Sequence, residues 1–458
     1  MTDETPRALS RRSMLRLTAG TAAAAGLAGR AGGDTLATPA RPTAASSMIG
    51  VPFEKRERVR FALVGCGGRG RSLLRNMLRV EGVEVKAVCD IVPEKVERMQ
   101  TMIEKAGQAR PEGYSKGETD FENLCARGDL DLVFVATPWN WHVRVAVTAM
   151  EGGAHAGVEV PAATTLEGAW RLVDVSEKTQ KHCVMLENVC YGWDELFLLN
   201  MVQAGALGDL THAECAYIHD LRRLLFADRG EGLWRRYEHW RRDGNLYPTH
   251  GLGPVARYFD VNRGDRFDYM VSMSSPSVGL QAYRDRTLEA TDPRRMETYD
   301  CGDVNTSLIK TARGKSIVLQ HDVVSPRPYD RINLLSGTGG TFRSFPARLF
   351  LDGQENHREW QELNPREREA GGIEDQYEHP LWKKLRETAR GGGHGGMDYI
   401  MCWRLIECLR EGLPPDMDVY DAAAWCAPGP LSELSVAQRS TSVSFPDFTR
   451  GGWSQARS

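Results

Sequence analysis

The run Gly65-Cys66-Gly67-Gly68-Arg69-Gly70 restricts the fold of this chain more than any other stretch of it. Strand-like residues 58–64 lead into it and the helical pattern of residues 72–78 follows. Glycines spaced GxGxxG at such a corner permit a tight turn at Gly65, close approach of a pyrophosphate at Gly67, and close helix packing at Gly70. The helix N-terminus then faces the phosphates. The fingerprint is weak alone, and the next segment strengthens it. A second strand, residues 83–89, ends at Asp90, about 20 residues past the last glycine. A carboxylate there accepts hydrogen bonds from the adenosine ribose and repels a 2′-phosphate, which favours NAD over NADP. The other role open to Asp90 is capping the helix that starts at Pro93.

Strand and helix patterns continue to alternate. Helices are expected at 93–106, 142–150 and 166–180, and apolar strands at 130–136, 155–159 and 182–187. Such units build a doubly wound parallel sheet, and ligands bind beyond the carboxyl ends of its strands. Three segments fall there: Thr137-Pro138-Trp139-Asn140-Trp141-His142, Glu159-Val160-Pro161, and Glu187-Asn188. Trp139 and Trp141 are either a wall of the cofactor site or a packing corner, and His142 either joins that wall or bonds backbone at a helix start. Glu159, a carboxylate at a buried strand end, needs partners or a raised pKa. Asn188 offers both a donor and an acceptor to the nicotinamide side.

Beyond residue 193 the pattern changes to an α+β domain with a largely antiparallel open sheet. A helix at 194–204 leads out, and strands are expected at 210–217, 269–274, 305–311, 316–322, 331–336 and 341–345. The domains expected are a processing region at 1–45, an NAD-binding Rossmann domain at 46–192 and a substrate-binding domain at 193–458. C-terminal segments of the last can fold back on the first. Residues 348–391 are charged and broken by Pro and Gly, so they read as surface excursions. Gly391-Gly392-Gly393-His394-Gly395-Gly396 precedes an apolar helix at 397–409, where a glycine-rich approach can close around a ligand and bring His394 to the site. Residues 419–426 read as a final helix and 436–444 as a terminal strand or tail.

The most reactive stretch outside the fingerprint is Tyr247-Pro248-Thr249-His250-Gly251-Leu252-Gly253-Pro254. His250 can exchange protons near neutral pH beside a flexible glycine, and Tyr247 can place its hydroxyl on the same side. A Thr-His capping corner is the structural alternative. Tyr329, after Pro326 and Pro328, is a second phenol on a constrained loop.

A formal charge of −3 gives no cationic field for nucleic acid, although residues 222–247 mix arginines with rings. The partner expected is a small molecule or glycan, and a homo-oligomer is compatible with the chain. The ten cysteines form no CxxC pair, and neither a disulfide framework nor a metal site is expected. At the N-terminus, Ser10-Arg11-Arg12-Ser13 precedes a weakly apolar run, residues 17–29. This resembles a twin-arginine signal, which implies the twin-arginine export machinery as a partner and a periplasmic or extracellular location. The run is too short and too weakly apolar to span a membrane stably. Export of a folded protein suits a tightly retained cofactor.

These motifs together resemble the Gfo/Idh/MocA oxidoreductase superfamily and, more closely, glycoside hydrolase family 109, α-N-acetylgalactosaminidase-like enzymes that retain NAD. The resemblance spans essentially the whole mature chain. It rests on GCGGRG at 65–70, Cys89-Asp90, TPWNWH at 137–142, EVPAATT at 159–165, ENVCY at 187–191, YPTHGLGP at 247–254 and GHGGMD at 393–398. It implies cofactor contacts at Arg69, Gly70, Asp90, Trp139, Asn140, Trp141, His142, Glu159, Val160 and Asn188, with Tyr247 beside the nicotinamide. Substrate contacts are implied at Tyr217, Arg236, Tyr247, Pro248, Thr249, His250 and Tyr329. Val160 stands where the wider superfamily usually has lysine, which weakens a simple sugar-dehydrogenase reading. The chemistry implied is oxidation of sugar C3, elimination across C1–C2, water addition and reduction at C3, with overall retention. His250, Tyr247, Tyr329 and Glu159 are the catalytic candidates. An exported sugar dehydrogenase and a non-catalytic saccharide-binding protein are the rival readings.

Overall fold

The apolar runs of the first half stack as expected into a six-stranded, all-parallel sheet. Its strands are β1 (Val59–Val64), β2 (Val83–Cys89), β3 (Glu112–Tyr114), β4 (Leu132–Val135), β5 (His155–Val158) and β6 (Cys183–Met185), in spatial order β3-β2-β1-β4-β5-β6. β1 and β4 are central and buried almost throughout, which is why they read as continuous apolar runs without alternation. The computed structural model describes residues 39–41, 45–364 and 371–455. The signal expected at 1–45 therefore lies largely outside the described residues. Within that segment, the Arg41 guanidinium pairs with the buried Glu177 carboxylate at 3.0 Å, so the folded contacts begin before residue 45.

The second half forms a nine-stranded sheet. Its strands are β7 (Leu210–Ile218), β8 (Phe267–Ser274), β9 (Asn305–Thr311), β10 (Ser316–Asp322), β11 (Leu334–Gly337), β12 (Gly340–Arg343), β13 (Arg348–Leu351), β14 (Gln361–Glu362) and β15 (Val443–Ser444). The order is β14-β13-β12-β11-β7-β10-β9-β8-β15, and only β7 with β10 pair in parallel. Alternating burial along β9 and β10 gives the sheet one packed face. Helices Thr249–Tyr258 and Pro428–Ala437 pack on it, while Tyr269, Met273 and Leu308 are exposed.

The helix after β4 starts at Trp139, not His142, because Pro138 takes the N-cap position in extended backbone. Residues 348–391 are not merely surface: they carry β13, β14 and two short helices, and Trp382 is buried with its indole N–H on the Tyr191 carbonyl. Residues 419–426 are not the last helix, since Pro428–Ala437 follows; Pro428 and Pro430 fall in its first turn, where a missing N–H costs nothing. All ten cysteines are buried and unpaired, and none has the depressed pKa of a nucleophile. Helix Met397–Glu411 packs back on helix Gly68–Met77 of the first sheet, which brings the C-terminal part of the chain to the carboxyl edge of the parallel strands.

Candidate active site

The glycine corner after β1 has the form of a phosphate cradle. Gly65 is left-handed at φ +97°, and a Cβ on it would collide with the Ala136 backbone; one on Gly70 would collide with the Gly65 carbonyl. A Cβ on Gly67 or Gly68 would meet nothing within 4 Å among the described residues, so bare backbone at the N-terminus of helix Gly68–Met77 opens to a ligand. At the end of β2 the Asp90 carboxylate accepts from the Cys66 N–H at 2.8 Å and the Val92 N–H at 3.0 Å, beside the same corner. These residues fit a dinucleotide, with Asp90 placed for the ribose hydroxyls and Gly67 and Arg69 for the pyrophosphate.

Around the neighbouring strand ends lies a second group. Glu159, just past β5, accepts from Arg69 Nε at 2.7 Å, and Arg69 Nη1 donates to Asp398 at 2.8 Å. Burial raises the Glu159 pKa against the pull of Arg69. Burial also opposes ionisation of Asp398, but hydrogen bonds and charge from His394 and Arg69 bring its pKa down to about 2. Asn188 donates to Asp398 at 2.6 Å, and its own carbonyl oxygen is buried without a partner among the described residues. Val160 is buried in a cis bond to Pro161.

His250 lies in the first turn of helix Thr249–Tyr258, and its Nδ1 meets Glu187 Oε1 at 2.7 Å, just beyond β6. The expected flexible glycine beside it is a packing residue: a Cβ on Gly251 would press into the backbone of Ala216 in β7. Tyr247 stacks on Trp139 at 5.6 Å between centroids and meets His250 edge-on at 4.9 Å. Tyr217 packs against Tyr247 at 4.7 Å and His250 at 5.2 Å, and its hydroxyl is 3.0 Å from His219 Nδ1. Tyr329, 6.3 Å from Tyr217, accepts from Arg331 Nη1 at 2.9 Å. Burial raises the pKa of all three phenols, Tyr217 to about 12, so they remain protonated donors at neutral pH. Pro248 occupies the N-cap position, and the Thr249 hydroxyl is buried without a partner among the described residues.

Other candidates are placed differently. The His142 ring is buried between the Pro161 and Thr137 carbonyls, each at 2.8 Å, and braces the corner instead of facing a ligand. Trp141 packs on Phe121 and Arg144, and Asn140 is exposed. Arg236 spends its guanidinium on Glu297 and the carbonyls of Leu225 and Gly232, none of them in the aromatic group. Its neighbour Arg235 lies over the rings of Trp139 and Tyr247, at 4.9 and 4.8 Å. From sequence, Glu187 falls in one of the three strand-end segments without a role of its own, and Arg235, His219 and Asp398 have none either. Glu187 carried a signal, since it adjoins Asn188 at a strand end. Asp398 carried another, four residues after His394 in the first turn of a helix.

Residues 59–187 match the family model for the oxidoreductase family, NAD-binding Rossmann fold, and residues 191–455 match the C-terminal domain of glycosyl hydrolase 109. A glycosyl hydrolase family 109 protein of Solibacter usitatus is 54% identical over 97% of this chain and 98% of its own length. The chain belongs to glycosyl hydrolase family 109. A second member, from Shewanella amazonensis, is 48% identical over 98% of both chains. The family 109 fold also aligns with a levoglucosan dehydrogenase solved with NADH and L-sorbose. That match has a TM-score of 0.64 and 17% identity, and covers 86% of this chain and all of the other. By its family models and close relatives the protein is an NAD-using enzyme of the Gfo/Idh/MocA superfamily that acts on a carbohydrate.

Proposed function

We propose that this family 109 enzyme hydrolyses terminal α-linked N-acetylgalactosamine with overall retention, by a redox cycle that opens and closes at sugar C3. The observation that carries the reading is the Glu187–His250 pair at the carboxyl edge of the parallel sheet, beside the Trp139–Tyr247 stack. Ligands of such sheets bind at that edge. Direct displacement at C1 needs two carboxyl groups free to act. Here Glu159, Glu187 and Asp398 are each engaged, with Arg69, His250 and both Arg69 and His394 respectively. The side chains suited to moving protons are an imidazole and phenols.

Bound NAD supplies a hydride acceptor and donor for C3. His250, held at Nδ1 by Glu187, keeps Nε2 for the 3-hydroxyl: it takes that proton as C3 becomes a ketone and returns it when C3 is reduced. The ketone acidifies the C2–H, so loss of that proton expels the C1 substituent; water then adds across the conjugated product. Tyr247, Tyr217 and Tyr329 orient sugar hydroxyls as donors, while Arg235 and Trp139 hold the Tyr247 ring. Glu159 fixes Arg69 at the phosphate corner.

With an aryl α-N-acetylgalactosaminide and no added NAD, many turnovers of leaving group are expected, with no net growth of NADH absorbance. Steady NADH accumulation from a free sugar, with every glycoside inert, would establish the dehydrogenase reading instead.

A further inference from the structure

Tyr329 is the most open of the three phenols in the site, 38% exposed against 6% for Tyr217 and 7% for Tyr247. A ring with that much open surface is not oriented by packing alone. Its hydroxyl is held instead by Arg331, whose Nη1 donates to the phenol oxygen at 2.9 Å. The same guanidinium lies over the Phe345 ring at 5.0 Å, and its Nη2 donates to Glu195 Oε1 at 2.6 Å. Glu195 stands in the first turn of helix Trp193–Gln203, and its carboxylate is packed against Gly192, where a Cβ would collide with it. Both members of this ion pair are buried.

Burying an ion pair so deeply adds little to stability, because desolvation takes back most of the attraction. The Arg331 Nε is moreover buried without a partner among the described residues. An apolar side chain of similar volume would serve packing as well, but it could not set the direction of the Tyr329 proton. A phenol has one proton and an oxygen that accepts, whereas a guanidinium only donates and keeps its charge in a protein. The Arg331 N–H therefore occupies an acceptor position on Tyr329, and the phenol O–H must point elsewhere. His219, edge-on to Tyr329 at 5.0 Å between centroids, has its Nδ1 engaged with the Tyr217 hydroxyl. The Tyr329 proton is left for a ligand beside the aromatic group.

We infer that Arg331 is a positioning residue for the carbohydrate: anchored by Glu195, it pins the Tyr329 oxygen and turns the phenol O–H toward an acceptor oxygen of the sugar. Glu195 acts through Arg331 and Arg331 through Tyr329, so neither touches the sugar. The inference rests on the enzyme's action on a carbohydrate and holds for the glycosidase and the dehydrogenase chemistry alike. Which of those operates is decided by the wild type alone, so the two fail separately.

The test is a double-mutant cycle on steady-state kinetics, with an aryl α-N-acetylgalactosaminide as substrate or, if every glycoside is inert, the free sugar that yields NADH. Arg331→Lys keeps a cation for Glu195 but loses the fork that reaches both partners. It is expected to raise KM about three- to tenfold, the size of one hydrogen bond, with kcat within about twofold of wild type. Tyr329→Phe is expected to raise KM at least as much, and the double variant to match Tyr329→Phe alone. Glu195→Gln keeps the shape and an acceptor oxygen. It is expected to raise KM less, with no effect on the Tyr329→Phe background, and it decides the matter if Arg331→Lys does not fold. Wild-type KM in Arg331→Lys, a loss confined to kcat, or losses that multiply in the double variant would overturn the inference.

Discussion

Replacing His250 by alanine is expected to lower turnover roughly 10²–10⁴-fold while leaving NAD bound. The imidazole is held rather than merely present. Glu187 is fully buried, its Oε1 lies 2.7 Å from His250 Nδ1, and the Val189 N–H bonds the same oxygen at 3.2 Å. An acceptor at Nδ1 keeps a proton on that nitrogen, which leaves Nε2 to accept one from the sugar. Glu187→Gln preserves an acceptor oxygen but removes the charge that stabilises the imidazolium formed in the step. A smaller loss, about tenfold or more, is therefore expected. Neither change touches the glycine corner, so the dinucleotide absorbance of both purified variants should match wild type. Wild-type turnover in His250→Ala would remove the imidazole from the reaction.

Gly70→Ala is expected to lose both bound NAD and stability, the latter by about 1–3 kcal/mol. The added Cβ would run into the Gly65 carbonyl, and Gly65 cannot retreat because its own α-carbon already faces the Ala136 backbone. The turn must open, and the N-terminus of helix Gly68–Met77 shifts with it. Gly67→Ala is the informative partner. Its Cβ would meet no atom of the described residues within 4 Å, so thermal unfolding of the apo protein should match wild type while NAD affinity falls. Full NAD occupancy in Gly67→Ala would mean that the dinucleotide does not approach that backbone.

Much of the scaffold was legible because buried parallel strands and the glycine corner leave local patterns. β9 and β10 fall on the residues expected, Asn305–Thr311 and Ser316–Asp322, since alternation marks a half-buried strand. β3 has three residues and no buried position, so nothing in its composition announces it. Helix Thr249–Tyr258 stays open in the sequence, where a Thr-His capping corner is only the alternative to a flexible-glycine reading, because Gly251, Gly253 and Pro254 all disfavour a helix interior. Gly251 lies against the β7 backbone and Gly253 against the Trp425 ring, so these two are small for packing, not for freedom. The site partners were hidden for a different reason. Arg69 and Asp398 are 329 positions apart, and Glu187 and His250 are 63 apart. Which of two adjacent arginines turns toward Tyr247 depends on the short 3-10 turn that carries them, and no local spacing distinguishes Arg235 from Arg236.

The claim on which the account turns is that the glycosidic bond is broken by elimination after oxidation at C3, and the C2 hydrogen reports it directly. Wild-type holoenzyme should be run to completion on an α-N-acetylgalactosaminide in deuterated water without added NAD, and the released sugar examined for isotope. Deuterium at C2 of the product, with leaving-group release far exceeding enzyme and the anomeric configuration retained, is the result expected. Full release of the leaving group with C2 still carrying only protium would contradict the account and assign the enzyme to direct displacement.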